Sequence, residues 1–160
     1  MIFILGENIF EVLVFMFEHY IAHRALPDND IMTQELSAAG FEQSDIAGAF
    51  DWFHVMQARL IEPPAMYAHQ HTSMRVFSDS EYKKISLESI SFLIFLQQAN
   101  VINDVERDLI VDRAMALKQE KIKIEEMRWI TMIALWNAGR EKDYLFVEDA
   151  LFNPRGLTLH

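Results

Sequence analysis

Apolar residues return every three or four positions along most of the chain, the signature of one-sided helices. Ile9, Val12, Leu13, Met16, Phe17, Tyr20 and Ile21 share a face of a helix predicted over about 9–23 and ended before Pro27. Asn8 and Glu11 have the spacing of a capping box at its start. Met32, Leu36 and Ala39 define a second helix that Gly40 closes, with Phe41 placed to fold back on its last turn. Ser44 is the expected N-cap of a third, with Asp45 at the positive end of its dipole. Its apolar face is Ile46, Ala49, Phe50, Phe53, Met56 and Leu60.

The back of the chain repeats the theme. Ser78 with Glu81, Ser86, and Asn103 with Glu106 are successive helix starts. They lead into runs carrying Leu87, Ile90, Leu93, Ile94 and Leu96, then Val105, Leu109, Ile110, Ala114, Met115 and Leu117. The run 124–136 is apolar on nearly every side, as a helix enclosed by others would be, and Gly139 ends it. A closing helix over 143–152 offers Leu145, Phe146, Ala150, Leu151 and Phe152, and Trp129 and Phe146 are expected in the core. Residues 74–78, MRVFS, alternate as a short strand does, or form an extended loop.

These elements predict an all-α helical bundle in two packed halves. Residues 1–62 form an N-terminal half with a helix-turn-helix-like pair, 63–73 a linker marked by Pro63-Pro64, and 74–160 a C-terminal half. A content of 51% hydrophobic residues, with 12 Phe and 3 Trp, suffices for a substantial core.

Charge decides against the most obvious use of the helix pair. A DNA-reading second helix needs cations for the flanking phosphates. Residues 30–60 instead carry Asp30, Glu35, Glu42, Asp45 and Asp51 against Arg59 alone, and only His54, Gln57 and Arg59 are plausible readers of a base edge. The formal net charge of −10 is uneven: residues 1–72 hold ten acids against Arg24 and Arg59, net −8, while 73–160 are net −2. That field favours a basic protein partner and disfavours nucleic acid or an anionic bilayer. Asp28, Asp30, Glu35 and Asp45 are the candidate partner-binding acids, with Trp52 as an anchor that is otherwise core.

Chemistry is sparse. With no cysteine there is no disulfide, thiolate or cysteine-bound zinc, which fits a reducing compartment. The apolar start MIFILGENIF has no basic n-region and is interrupted at Gly6, Glu7, Asn8 and Glu11, so it reads as a buried helix and the expected location is the cytoplasm. His19 and His23 sit four apart beside Glu18, but two ligands make no site, and His69 and His71 are the only other cluster, so no metal is assigned. The acids Asp104, Glu106, Asp108 and Asp112, interleaved with Arg107 and Arg113, read as a solvated helix face. Lys118, Lys121, Lys123 and Arg128 are diluted by Glu120, Glu125 and Glu126. No catalytic or cofactor motif stands out, and the reading is non-enzymatic.

The segments FEVLVFMFEHYI, LSAAGFEQSDIAGAFDWF, SMRVFSDSE, FLIFLQQANVINDVERDLIVDRAMAL, EEMRWITMIALWN and the closing Leu159-His160 together resemble the Smg family of bacterial proteins. MIFILGE precedes the family's usual start near Phe10. The resemblance implies a bacterial cytoplasmic protein whose molecular role is unassigned, and it offers no catalytic residue to carry over. Family genes often neighbour DNA-processing genes, which implies a nucleic-acid pathway reached through a protein partner. The sequence expectation is therefore a non-enzymatic interaction protein. The alternative is a helix-turn-helix-derived regulator that contacts nucleic acid directly or within a DNA-processing complex.

Overall fold

A computed structural model of the chain describes residues 9–61 and 75–152. Among them are eight α-helices and no strand: α1 (Ile9–Met16), α2 (Asn29–Ala38), α3 (Gln43–Ile61), α4 (Asp79–Lys84), α5 (Leu87–Gln98), α6 (Asp104–Ala116), α7 (Ile124–Asn137) and α8 (Glu141–Phe152). The expected linker, 63–73, and the Asn8 cap lie outside the described residues.

Local chemistry sets most boundaries. Gly40 adopts φ 104°, and the Phe41 amide reaches the Leu36 carbonyl at 3.2 Å, closing α2 as the glycine requires. Asn103 accepts from the Glu106 amide at 2.8 Å while Glu106 accepts from the Asn103 amide at 2.9 Å, and Ser78 with Glu81 repeats this box. Helix α3 begins at Gln43, two residues earlier than a Ser44 cap would set it.

Packing overturns two expectations, a regular first helix and an inward Phe146, and decides the open choice at 75–78 in favour of the loop. The first helix does not continue regularly to 23. After Met16 it widens into a π turn over Phe17–Ile21, with the Ala22 amide donating to the Phe17 carbonyl at 2.9 Å. In that turn Phe17 meets Trp129 and Trp136 edge-on, at centroid distances of 5.5 and 5.1 Å, while Tyr20 also faces inward.

Residues 75–78 form no strand. Their alternation serves single contacts: Arg75 turns to Glu81, Phe77 is buried and Val76 is exposed, and no neighbouring backbone offers a ladder. The single bridge among the described residues is Ile85 with Ile122, in parallel sense.

In α8 the buried residue is Tyr144, whose side chain is fully enclosed, and Phe146 is 75% exposed. Two residues along a helix turn the side chain by about 200°, so a face centred on Tyr144 sends Phe146 outward.

One apolar cluster joins both halves of the chain, from Val12 and Met16 through Phe53 and Met56 to Ile110, Ile130 and Leu135. Helix α3 packs against α1, α2, α6 and α7, and Gly48 lets the Ile9 side chain come closer than a Cβ there would allow. Helix α7, which also touches α5, α6, α8 and the π turn, is the enclosed element its all-round apolarity predicted.

Candidate functional site

The outward face of α2 and the segment leading into it carry three of the five sequence-predicted residues. Asp28 stands at the N-cap in extended conformation and accepts from the Ile31 amide at 3.0 Å. Burial of Met32 and Leu36 turns the other side of the helix outward, exposing Asp30, Gln34 and Glu35 with Ile31, which is 48% exposed. Leu26, also exposed, precedes the cap. Two aliphatic side chains and three carboxylates thus share this part of the surface.

Glu35 is fixed from below. The Tyr20 hydroxyl donates to its Oε1 at 2.7 Å, and burial first, then the Glu35 carboxylate, push the Tyr20 pKa up to about 12. Tyr20 therefore keeps its proton at neutral pH and remains a donor.

Asp45 and Trp52 are elsewhere. Asp45 is 2% exposed within the first turn of α3, and Trp52 is 4% exposed under α6. Neither presents a surface to a partner. The α3 phase that buries Ile46, Ala49 and Phe53 carries both inward with them.

The electrostatics of the front half follow from where its arginines go. Arg24 pairs with Glu141 of α8, and Arg59 pairs with Asp112 of α6 at 3.0 Å. Both front-half arginines thus reach across to back-half acids, while Glu11, Glu18, Asp28, Asp30, Glu35, Glu42 and Asp51 remain exposed. From Ala47 onward the solvent strip of α3 is Ala47, Asp51, His54, Val55, Ala58 and Arg59, whose one positive charge is the Asp112-paired guanidinium. His54 is hydrogen-bonded through Nδ1 to the Phe50 carbonyl at 2.7 Å.

The acids of α6 are not the solvated face that their spacing suggested. Asp112 holds Arg113 at 2.9 Å as well as Arg59, and Asp108 holds Arg107 at 3.0 Å and Arg75 at 3.6 Å. Glu106 is buried on Arg140 and in its own capping box. Burial pushes its carboxyl pKa up, against the opposing pull of the Asn103 amide and Arg140. Arg59, Arg75, Glu81, Asp108 and Asp112 rim an open cavity of about 450 Å³ between α3, α4 and α6. These carboxylates face guanidinium groups and not one another as acid–base pairs would, and one of the ion pairs, Arg59–Asp112, ties α3 to α6. Sequence reasoning missed it because Arg59 and Arg75 lie 53 and 33 residues before their α6 partners; the interleaved Arg107 and Arg113 were the available signal.

Among the described residues no three histidine or acidic side chains converge as metal ligands. His19 is instead stacked on Phe15 at 3.8 Å with Nδ1 on the Phe15 carbonyl at 3.0 Å, and His69 and His71 lie outside the described residues. No described helix is long and apolar enough to cross a membrane.

Residues 9–160 match the family described as "Protein of unknown function (DUF494)". The chain is similar to a "Protein Smg homolog" of Methylobacillus flagellatus, 47% identical over 151 residues that cover 94% of this chain and 99% of the relative. Proteins of the same name from Shewanella woodyi and Shewanella amazonensis are 34% and 32% identical, at the same coverage of 94% and 99%. No solved structure matches the chain.

Proposed function

Starting from the fact that the chain belongs to the Smg family, we propose that it is a non-enzymatic cytoplasmic interaction protein that docks a basic polypeptide on the exposed side of α2. The supporting observation is the destination of Arg24 and Arg59. Because both pair with acids of the back half, the front surface presents carboxylates without a local arginine to answer them. A partner bringing lysine or arginine meets Asp28, Asp30 and Glu35, and Leu26 and Ile31 give it apolar area to cover.

The test begins with a crosslinked pull-down from the native cytoplasm and proceeds to titration of the purified main hit. The variant should carry Asp28→Asn, Asp30→Asn and Glu35→Gln, which remove charge but keep the helix cap and the acceptor for Tyr20. Expected are a loss of affinity of about tenfold and a wild-type affinity that falls with added salt. Binding indifferent to both would refute the electrostatic reading.

A second reading, a regulator that contacts nucleic acid, rests on the α2–Gly40–α3 pair. The packing of α3 against four other segments weighs against it, as does its exposed side, whose single arginine, Arg59, is paired with Asp112. Nanomolar binding to a duplex at physiological salt would put it first.

A further inference from the structure

The outward stripe of α8 is Lys142, Leu145, Phe146 and Asp149, all exposed and spaced i, i+3, i+4, i+7, so they form one continuous line along the helix. Its middle is apolar and its ends carry opposite charges. Phe146 is the most exposed aromatic side chain among the described residues, while Tyr144 anchors the opposite side of the helix against Phe92 and donates to Glu148 one turn further along.

This order of side chains is complementary to itself in one orientation. If two copies of α8 lie antiparallel about a two-fold axis between Leu145 and Phe146, each Phe146 meets the other copy's Leu145. Lys142 and Asp149 stand 3.5 residues, about 5 Å, on either side of that axis, so each lysine is level with the other copy's aspartate. A parallel pairing would set lysine on lysine and aspartate on aspartate. Asp149 already engages another group within its own chain, and a carboxylate with four lone-pair sites accepts a lysine in addition.

We propose that this protein self-associates through α8, forming a two-fold symmetric antiparallel helix pair centred on Phe146 and oriented by two Lys142–Asp149 ion pairs. A stripe of four residues per copy is small for a stable interface, so the dimer forms at high micromolar concentration and is in exchange with the monomer.

Sedimentation equilibrium of the full chain from about 1 μM to 1 mM tests this. The mass of the wild type should climb from 18.7 kDa toward twice that value. Phe146→Asp should hold it at the monomer value, with an unchanged urea midpoint showing that the fold is intact. Lys142→Asp should weaken association by about tenfold, and adding Asp149→Lys to it should bring the affinity back to within about threefold of wild type. A wild type that stays monomeric throughout, a dimer insensitive to Phe146→Asp, or a double reversal no better than the single one would each overturn the proposal.

Discussion

Trp52 and Arg113 hydrogen-bond each other in both directions: the indole Nε1 donates to the Arg113 carbonyl at 2.9 Å, and the Arg113 guanidinium donates to the Trp52 carbonyl at 3.3 Å. The guanidinium also lies 5.6 Å from the indole centroid. The pair ties α3 to α6 in buried surroundings, where an acceptor left alone is costly. Trp52→Phe keeps most of the apolar surface but removes the donor, and it should lower stability by about 1–3 kcal/mol. Urea denaturation followed by circular dichroism measures the loss. A midpoint equal to wild type would show that the exchange contributes little.

Two phenylalanines should behave oppositely under truncation. Phe53 is buried in the shared core, and its replacement by alanine should cost about 3–5 kcal/mol. Phe146→Ala, at an exposed position, should stay within about 0.5 kcal/mol of wild type in dilute solution. The two melts side by side check the assignment of the α8 face.

The start of α2 separates charge from hydrogen bonding. Asp28→Ala removes the acceptor for the Ile31 amide and should cost about 1 kcal/mol, whereas Asp28→Asn should be close to neutral. Equal destabilisation by both would mean that the helix responds to charge at this site and not to the cap.

Glu106 makes stability depend on pH with a defined sign. Burial raises its folded-state pKa above the ordinary 4.5, so between those two values the folded protein binds more protons than the unfolded chain. Its contribution is therefore complete below pH 4.5 and declines as pH rises through the folded value. Glu106→Gln lacks this slope, so its stability relative to wild type should improve from pH 4 to pH 7. Urea midpoints at the two pH values would show it, and a relative decline would mean that Arg140 and the Asn103 amide dominate over burial.

What could be read from the residues was what is decided within a few positions of them. The Gly40 closure and the Asn103–Glu106 and Ser78–Glu81 boxes are local and appear as expected, and so does the packing of α7, apolar on nearly every side, among other helices. What escaped depends on residues distant in the chain. The pairing of Asp108 and Asp112 with Arg75 and Arg59 exists only after the helices have packed. Asp45 and Trp52 looked available because a side chain's type does not reveal the rotation of its helix. The phase error at α8 has the same origin: Leu145 and Phe146 outweigh Tyr144 in apolarity, yet Tyr144 finds both an aromatic neighbour in Phe92 and an acceptor in Glu148. On the α2 side, Asp28, Asp30 and Glu35 are exposed as their pattern implied, and Tyr20 beneath Glu35 was not foreseen.

The wide turn at Phe17–Ile21 holds one residue more than an ordinary helical turn would need. A codon deletion there is thus a different kind of lesion from one in mid-helix. It can be absorbed by tightening the backbone into regular α-helix, but everything after it would swing by about 100°, taking Tyr20 off Glu35 and shifting the approach to α2. The chain would still be helical at this point, with its acidic face aimed in another direction.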